Sequence, residues 1–101
     1  MRLRLLPDNR KADILAAAIT IAEKRDGWRS LTRNRVASVA ECSEALVSRY
    51  FGTMQDLRAA IMKHAIKTKN LRIVAQGLAA DDPQAKRAKP ELKSEALKTL
   101  A

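Results

Sequence analysis

The chain has 101 residues, enough for one small domain or for one domain with a tail. Aromatic residues make up 3% of it, and glycine and proline number three each, so the alanine- and leucine-rich apolar content favours helices over a sheet. The formal net charge of +9 favours a polyanionic partner, with nucleic acid ahead of an anionic membrane surface. A generically basic protein without such a partner is the alternative interpretation.

Composition also disfavours several classes of protein. The single cysteine, Cys42, cannot form a disulfide within the chain, and we expect it to pack as a small apolar residue in a reducing cytoplasm. No apolar run approaches the roughly 18 residues of a membrane span, so no membrane partner is expected. The single histidine, His64, has no companion ligand nearby in the sequence. We therefore expect no enzyme activity, no metal site and no cofactor.

The first predicted elements are an arm and a core helix. Residues 1–7 carry two arginines and are interpreted either as a basic arm that reaches DNA or as a frayed terminus. From about residue 8 to residue 26, apolar side chains recur at helical spacing, and Gly27 is the expected left-handed stop. In the connection that follows, we expect Trp28 to fill the core and not to stack on a ligand.

Residues 32–57 contain two short apolar runs separated by a polar break at residues 41–43. Two short helices joined by such a turn form a helix-turn-helix, whose second helix is suited to the major groove of DNA. Thr32 and Ser43 are the expected N-caps of the two helices. The pattern therefore predicts a DNA-reading unit in this part of the chain.

A long fourth helix is predicted over residues 54–80, opened by a capping box between Thr53 and Asp56. Its first half would pack under the reading unit and complete a DNA-binding domain over residues 8–66. Its second half, residues 67–80, carries another apolar stripe with no obvious partner in the chain. We therefore predict that the chain forms a homodimer through this stripe. The stripe consists of Leu71, Val74, Ala75 and Leu78.

The remaining sequence, residues 81–101, is charged and alanine-rich, and we predict a mobile, partly helical tail. The basic excess does not lie in the reading unit. Residues 58–80 contain five Lys/Arg and no acid, whereas residues 1–57 contain ten Lys/Arg against seven Asp/Glu. This distribution leaves room for a protein partner of acidic character or for an architectural role on DNA.

From residue 14 to about residue 61 the chain resembles the DNA-binding domain of the tetracycline-repressor (TetR) family. The resemblance begins with the alanine-rich helix ILAAAITIAEK and the Gly-aromatic pair at residues 27–28. It continues through Leu-Thr at residues 31–32 to Arg-Tyr-Phe at residues 49–51, with Asp-Leu at residues 56–57. It implies an all-α, TetR-like or homeodomain-like helix-turn-helix bundle with an extended fourth helix.

The chain departs from the family pattern at several positions. Glu41 stands where the family usually has a glycine in the turn, and Met54 stands where it has a phosphate-binding lysine. Ser48 replaces an aromatic residue, and Leu46 replaces a small hydroxyl residue. About forty residues follow the reading unit, too few to enclose a drug-sized pocket. The resemblance therefore implies DNA binding without a small-molecule ligand.

We predict a sequence-specific, cytoplasmic, dimeric regulator of transcription, most simply a repressor that binds double-stranded DNA by occupying its operator. By the resemblance and the exposed helix face, the residues expected to contact bases are Glu44, Ala45, Leu46, Ser48 and Arg49. Those expected to hold phosphates are Thr32, Arg33, Arg35, Ser43 and Tyr50. The alternatives are a protein-interaction adaptor or antirepressor, and an architectural or recombination-directionality factor.

Overall fold

The computed structural model describes residues 7–99 of the chain, with side chains from residue 10 onward. That part of the chain contains eight helices and no strand, which confirms the all-α fold class. The predicted basic arm lies outside the described residues, apart from Pro7. In chain order the helices are α1 (Pro7–Glu23), α2 (Gly27–Ser30), α3 (Arg33–Ala40), α4 (Glu44–Phe51), α5 (Met54–Lys67), α6 (Leu71–Ala79), α7 (Pro83–Lys86) and α8 (Pro90–Lys98).

The first helix, α1, ends three residues earlier than its pattern predicts. The left-handed residue after it is Asp26, with φ of 58°, and Gly27 begins α2. The glycine is needed for a different reason, because a Cβ at this position would overlap the carbonyl oxygen of Ile21. Its N–H donates to the carbonyl of Lys24 over 2.7 Å. Gly27 therefore does not end α1 as predicted. Instead it allows the start of α2 to lie close to the end of α1.

The helix-turn-helix forms with the predicted caps. The hydroxyl of Thr32 accepts from the N–H of Arg35 over 3.2 Å and begins α3, and the hydroxyl of Ser43 accepts from the N–H of Leu46 over 3.1 Å and begins α4. The turn between them contains Glu41 in the left-handed region, with φ of 58°. A non-glycine residue therefore fills the position at which glycine has no steric cost.

The predicted single helix over residues 54–80 is wrong, because the structure divides it into α5 and α6. Lys69 adopts a left-handed conformation with φ of 57°, and the N–H of Asn70 donates back to the carbonyl of Ala65 over 2.7 Å. The side chain of Asn70 then caps α6 by accepting from the N–H of Ile73 over 3.4 Å. Asparagine competes with helical backbone bonds through its side chain, so a cap suits it better than a helix interior.

The structure also corrects the predicted pairing stripe and mobile tail. Within the stripe, Val74 and Ala75 are only 0% and 1% exposed, while Leu71 and Leu78 are half-buried against the same core. Helices α7 and α8, in the segment predicted as a tail, pack on α6. Their small buried residues, including Ala96, fit closely against it. Val74 and Ala75 therefore have their partners within the chain, and only Leu71 and Leu78 of the stripe remain partly exposed.

Gln76 connects α6 to the segment between α1 and α2 by hydrogen bonds. Its side-chain amide donates to the carbonyls of Ala22 over 2.7 Å and Lys24 over 3.1 Å, at the end of α1. Its carbonyl oxygen accepts from the backbone N–H of Trp28 over 2.8 Å. One side chain thus satisfies three backbone groups in the connection between α1 and α2.

Arg58, on α5, is hydrogen-bonded to α2 and to the residue that directly follows α2. Its guanidinium donates to the carbonyls of Trp28 over 2.6 Å and Leu31 over 3.1 Å, and lies 5.0 Å from the centroid of the indole ring. Burial lowers the pKa of the Arg58 guanidinium, and the charge of Asp82 acts in the opposite direction. Trp28 is 3% exposed, which confirms its predicted place in the core.

Candidate nucleic-acid interface

The second helix of the helix-turn-helix, α4, presents one exposed face. Val47 is 1% exposed and anchors α4 to the core. On the outward side, Glu44, Ala45 and Arg49 are exposed. The other two residues predicted to contact bases, Leu46 and Ser48, are half-buried and border this face. The phosphate candidate Tyr50 is also half-buried and packs against the core.

Asn34 joins α3 to the start of α4, a contact that sequence reasoning missed. Its side-chain amide donates to Oε2 of Glu44 over 3.3 Å. The other carboxylate oxygen of Glu44 can still accept a hydrogen bond, since an ionised carboxylate has about four lone-pair sites. The contact orients Glu44 on the exposed face of α4. Only the polarity of Asn34 in the first turn of α3 could have indicated it.

The N-terminus of α3 is basic. Its first turn contains Arg33 and Arg35 and no acid, so two cations lie at the positive end of the helix dipole. Arg35 is exposed, whereas Arg33 is half-buried and its Nε is a buried atom with no hydrogen-bond partner. This arrangement is locally unfavourable and would be relieved by an anion.

Both capping hydroxyls also lie at the surface. Thr32 and Ser43 are exposed, and each uses its oxygen to accept a backbone N–H bond. A hydroxyl that accepts in this way keeps a proton that it can donate to a phosphate oxygen. Together with Arg35 and Arg49, they can supply hydrogen-bond donors along α3 and α4.

Lys11, on α1, lies close to the end of α4. Its ammonium is 5.6 Å from the ring centroid of Phe51, a half-buried residue at the end of α4. The lysine is itself exposed. It adds a cation beside the reading face, and because it is distant in sequence from α4, only the packing of α1 reveals it.

No grouping of three or more His, Cys, Asp or Glu side chains within residues 10–99 could hold a metal ion. In the same part of the chain, no helix has both the length and the apolar character required to cross a membrane. Cys42 is half-buried and packs against the core.

Comparisons with known proteins give no match. The chain matches no protein-family profile, no curated protein and no solved structure.

Proposed function

We propose that this protein is a sequence-specific DNA-binding regulator of transcription that inserts α4 into the major groove. One observation carries the proposal: buried Val47 anchors α4, while Ala45 and Arg49 are exposed on the opposite side of the helix and Glu44 is exposed at its start. A helix held in this way behind a capped partner helix has the geometry needed to read base edges. The TetR-like sequence pattern supports the same conclusion.

Each residue of the reading face has a distinct chemical role in this proposal. Arg49 offers two parallel donors that match N7 and O6 of guanine, and Leu46 suits the methyl group of thymine. Glu44, oriented by Asn34, accepts from the exocyclic amine of cytosine through its second oxygen. Ser48 can donate or accept at either kind of base.

The phosphate contacts fix the register of α4 on the duplex. Arg35 and the hydroxyls of Thr32 and Ser43 are exposed near the starts of α3 and α4, where backbone N–H groups also favour an anion. Arg33 contributes charge to the same place. Tyr50 adds a phenol at the edge of the face, where its hydroxyl can donate to a phosphate.

In the proposed mechanism, the protein represses transcription in the cytoplasm by occupying its operator. Two copies on a palindromic operator would place two α4 helices about 34–36 Å apart, one turn of DNA. Val74 and Ala75 of the predicted stripe on α6 are not available to their contact, since both lie in the core of their own chain. Sedimentation with and without operator DNA would show whether the protein dimerises, and whether dimerisation requires the DNA.

The decisive experiment is selection of bound sites from random duplex DNA, followed by the Arg49→Ala variant. We expect this variant to lose preference for one base position by about 1–3 kcal/mol, roughly five- to 150-fold, because a bidentate contact is removed. Circular dichroism should remain unchanged, since Arg49 is exposed. Arg29→Ala is the matched control, as Arg29 is an exposed arginine on α2.

Unchanged selectivity in Arg49→Ala would refute the assignment of α4 as the reading helix. A reader that contacts about six to eight phosphates should also lose several orders of magnitude in affinity as salt rises from 50 to 200 mM. Weak binding with no salt dependence would instead support an adaptor that does not read DNA.

A further inference from the structure

A second basic surface lies where the end of α1 meets the turn between α5 and α6. Asn70, in that turn, donates to Oε1 of Glu23 at the end of α1 over 3.0 Å. Arg25 and Arg72 line one shallow concavity beside this contact. We call the exposed cations that these contacts bring together the turn-side basic surface: Lys24, Arg25, Lys67, Lys69 and Arg72.

The turn-side basic surface and the end of the reading helix lie near opposite ends of α1. Lys11, near the beginning of α1, is the residue that contacts Phe51 of α4, whereas Lys24 directly follows its last residue. Thirteen residues separate Lys11 from Lys24, and a helix rises ~1.5 Å per residue, so the two ends are roughly 20 Å apart. Contacts made here are therefore distinct from those proposed for α4.

The charge of this surface is only partly balanced by its own carboxylates. Its five cations are accompanied by Glu23, which is bonded to Asn70, and by exposed Asp26. The sequence has no acid at all between Leu57 and Ala80. The helix-turn-helix, in contrast, carries three arginines and two glutamates over residues 32–52. The turn-side basic surface thus has a larger net positive charge than residues 32–52.

Its chemistry suits phosphates better than a protein partner. Protein–protein interfaces have an apolar centre and are depleted in lysine. Near the turn, Ala65 and Ile73 are buried and Ile66 and Leu71 are half-buried against the core. Three of the five exposed cations are lysines. Lysine acts as a flexible point charge that suits a phosphate backbone of any sequence.

We propose that the turn-side basic surface binds the phosphate backbone of a second duplex segment, independently of base sequence. One chain would then hold its operator through α4 and a neighbouring stretch of DNA through the opposite end of α1. Such a contact explains why the net charge of +9 is concentrated outside the reading unit.

The test uses Lys24→Gln, Lys67→Gln and Arg72→Gln combined, with binding to a 20-base-pair duplex of mixed sequence measured across a salt series. We expect the slope of log K against log salt to fall in magnitude by about 2–3, because roughly one counterion is released for each phosphate contact. The triple variant should also stop capturing a labelled second duplex on immobilised operator DNA. Selected-site preference should be retained, as α4 is unchanged.

The matched control combines Lys86→Gln, Arg87→Gln and Lys89→Gln, which removes the same charge from exposed positions around the end of α7. Equal losses in the two triple variants would mean that only overall charge matters, and would overturn the proposal. So would an unchanged salt slope, or binding to phosphatidylserine vesicles without binding to duplex. Failure of the α4 assignment would give a different result. The selected sites would then show no base preference, while the slope of log K against log salt would be unchanged.

Discussion

At the scale of single residues, Gln76 forms three hydrogen bonds with the backbone of another segment. It bonds to two carbonyls and one N–H of the α1–α2 connection, which lies 48 to 54 residues away in the sequence. Trp28, whose N–H it accepts, is nearly inaccessible to water. A buried backbone group without a partner costs more free energy than a typical hydrogen bond contributes. Gln76 therefore stabilises the connection between α1 and α2 from a distant helix.

We expect Gln76→Leu to lower the free energy of unfolding by about 1–3 kcal/mol, because the N–H of Trp28 would lose its partner while remaining buried. Urea unfolding followed by circular dichroism measures this change. Gln55→Leu serves as the control, since Gln55 is exposed on α5 and should change stability by less than about 0.5 kcal/mol. Equal effects of the two substitutions would show that the hydrogen bonds of Gln76 contribute little.

The capping bonds, in contrast, join residues that are close in the sequence. The carboxylate of Asp56 accepts from the N–H of Thr53 over 2.9 Å and from its hydroxyl over 3.0 Å, which completes the capping box at α5. These bonds lower the pKa of Asp56, the backbone bond more than the hydroxyl bond. Such caps could be predicted because donor and acceptor are three residues apart.

At the scale of helices, the break between α5 and α6 decides the shape of the C-terminal half. A continuous helix over residues 54–80 would run ~40 Å in one direction. The left-handed Lys69 instead reverses the chain, so that α6 lies against α5 and α1. Gly77 permits close packing on α6, because a Cβ there would overlap the end of Met62. The turn therefore converts a predicted stem into part of the core.

We expect Lys69→Gly to raise the free energy of unfolding by up to about 1 kcal/mol, because glycine adopts positive φ without steric cost. Lys63→Gly, in the middle of α5, should instead lower it by about 1 kcal/mol. Thermal or urea unfolding of both variants gives the comparison. If Lys69→Gly destabilises the protein as much as Lys63→Gly does, residues 67–71 form a continuous helix in solution.

At the scale of the whole molecule, the reading unit and the C-terminal helices share one core. Ile14 of α1, Ile61 of α5 and Ile73 of α6 are fully buried in the same cluster, together with Ala96 of α8. Small domains bury a modest core, so each of these contacts contributes to the stability of the whole domain. We therefore expect the described part of the chain to unfold as one unit.

Ala96→Asp tests this cooperativity, since it places a charge in a fully buried position on α8. We expect a loss of about 2 kcal/mol or more, seen equally by circular dichroism and by the fluorescence of Trp28, the only tryptophan. The control is Glu95→Asp, at the exposed neighbouring position. A Trp28 transition that stays unchanged in Ala96→Asp would show that α8 unfolds separately from the reading unit.

Local features were determined by the sequence alone. The caps at Thr32, Ser43 and Thr53 form as predicted, and so does the burial of Trp28. Each cap depends on groups within one helical turn, and a large aromatic side chain next to a core helix has a strong drive to leave water. The exposed face of α4 follows in the same way, because buried Val47 sets its orientation.

Only the tertiary structure decided which surfaces remain open. The stripe on α6 looked unpartnered because the alanine-rich segment after it gave a weak apolar signal, yet α8 packs against α6 with Ala96 fully buried. Long-range bonds such as those of Gln76 and Arg58 leave no periodic trace in the sequence. Pairing between distant segments depends on shape and burial that emerge when the whole chain packs, and these placed the basic residues of the α5–α6 turn beside the end of α1.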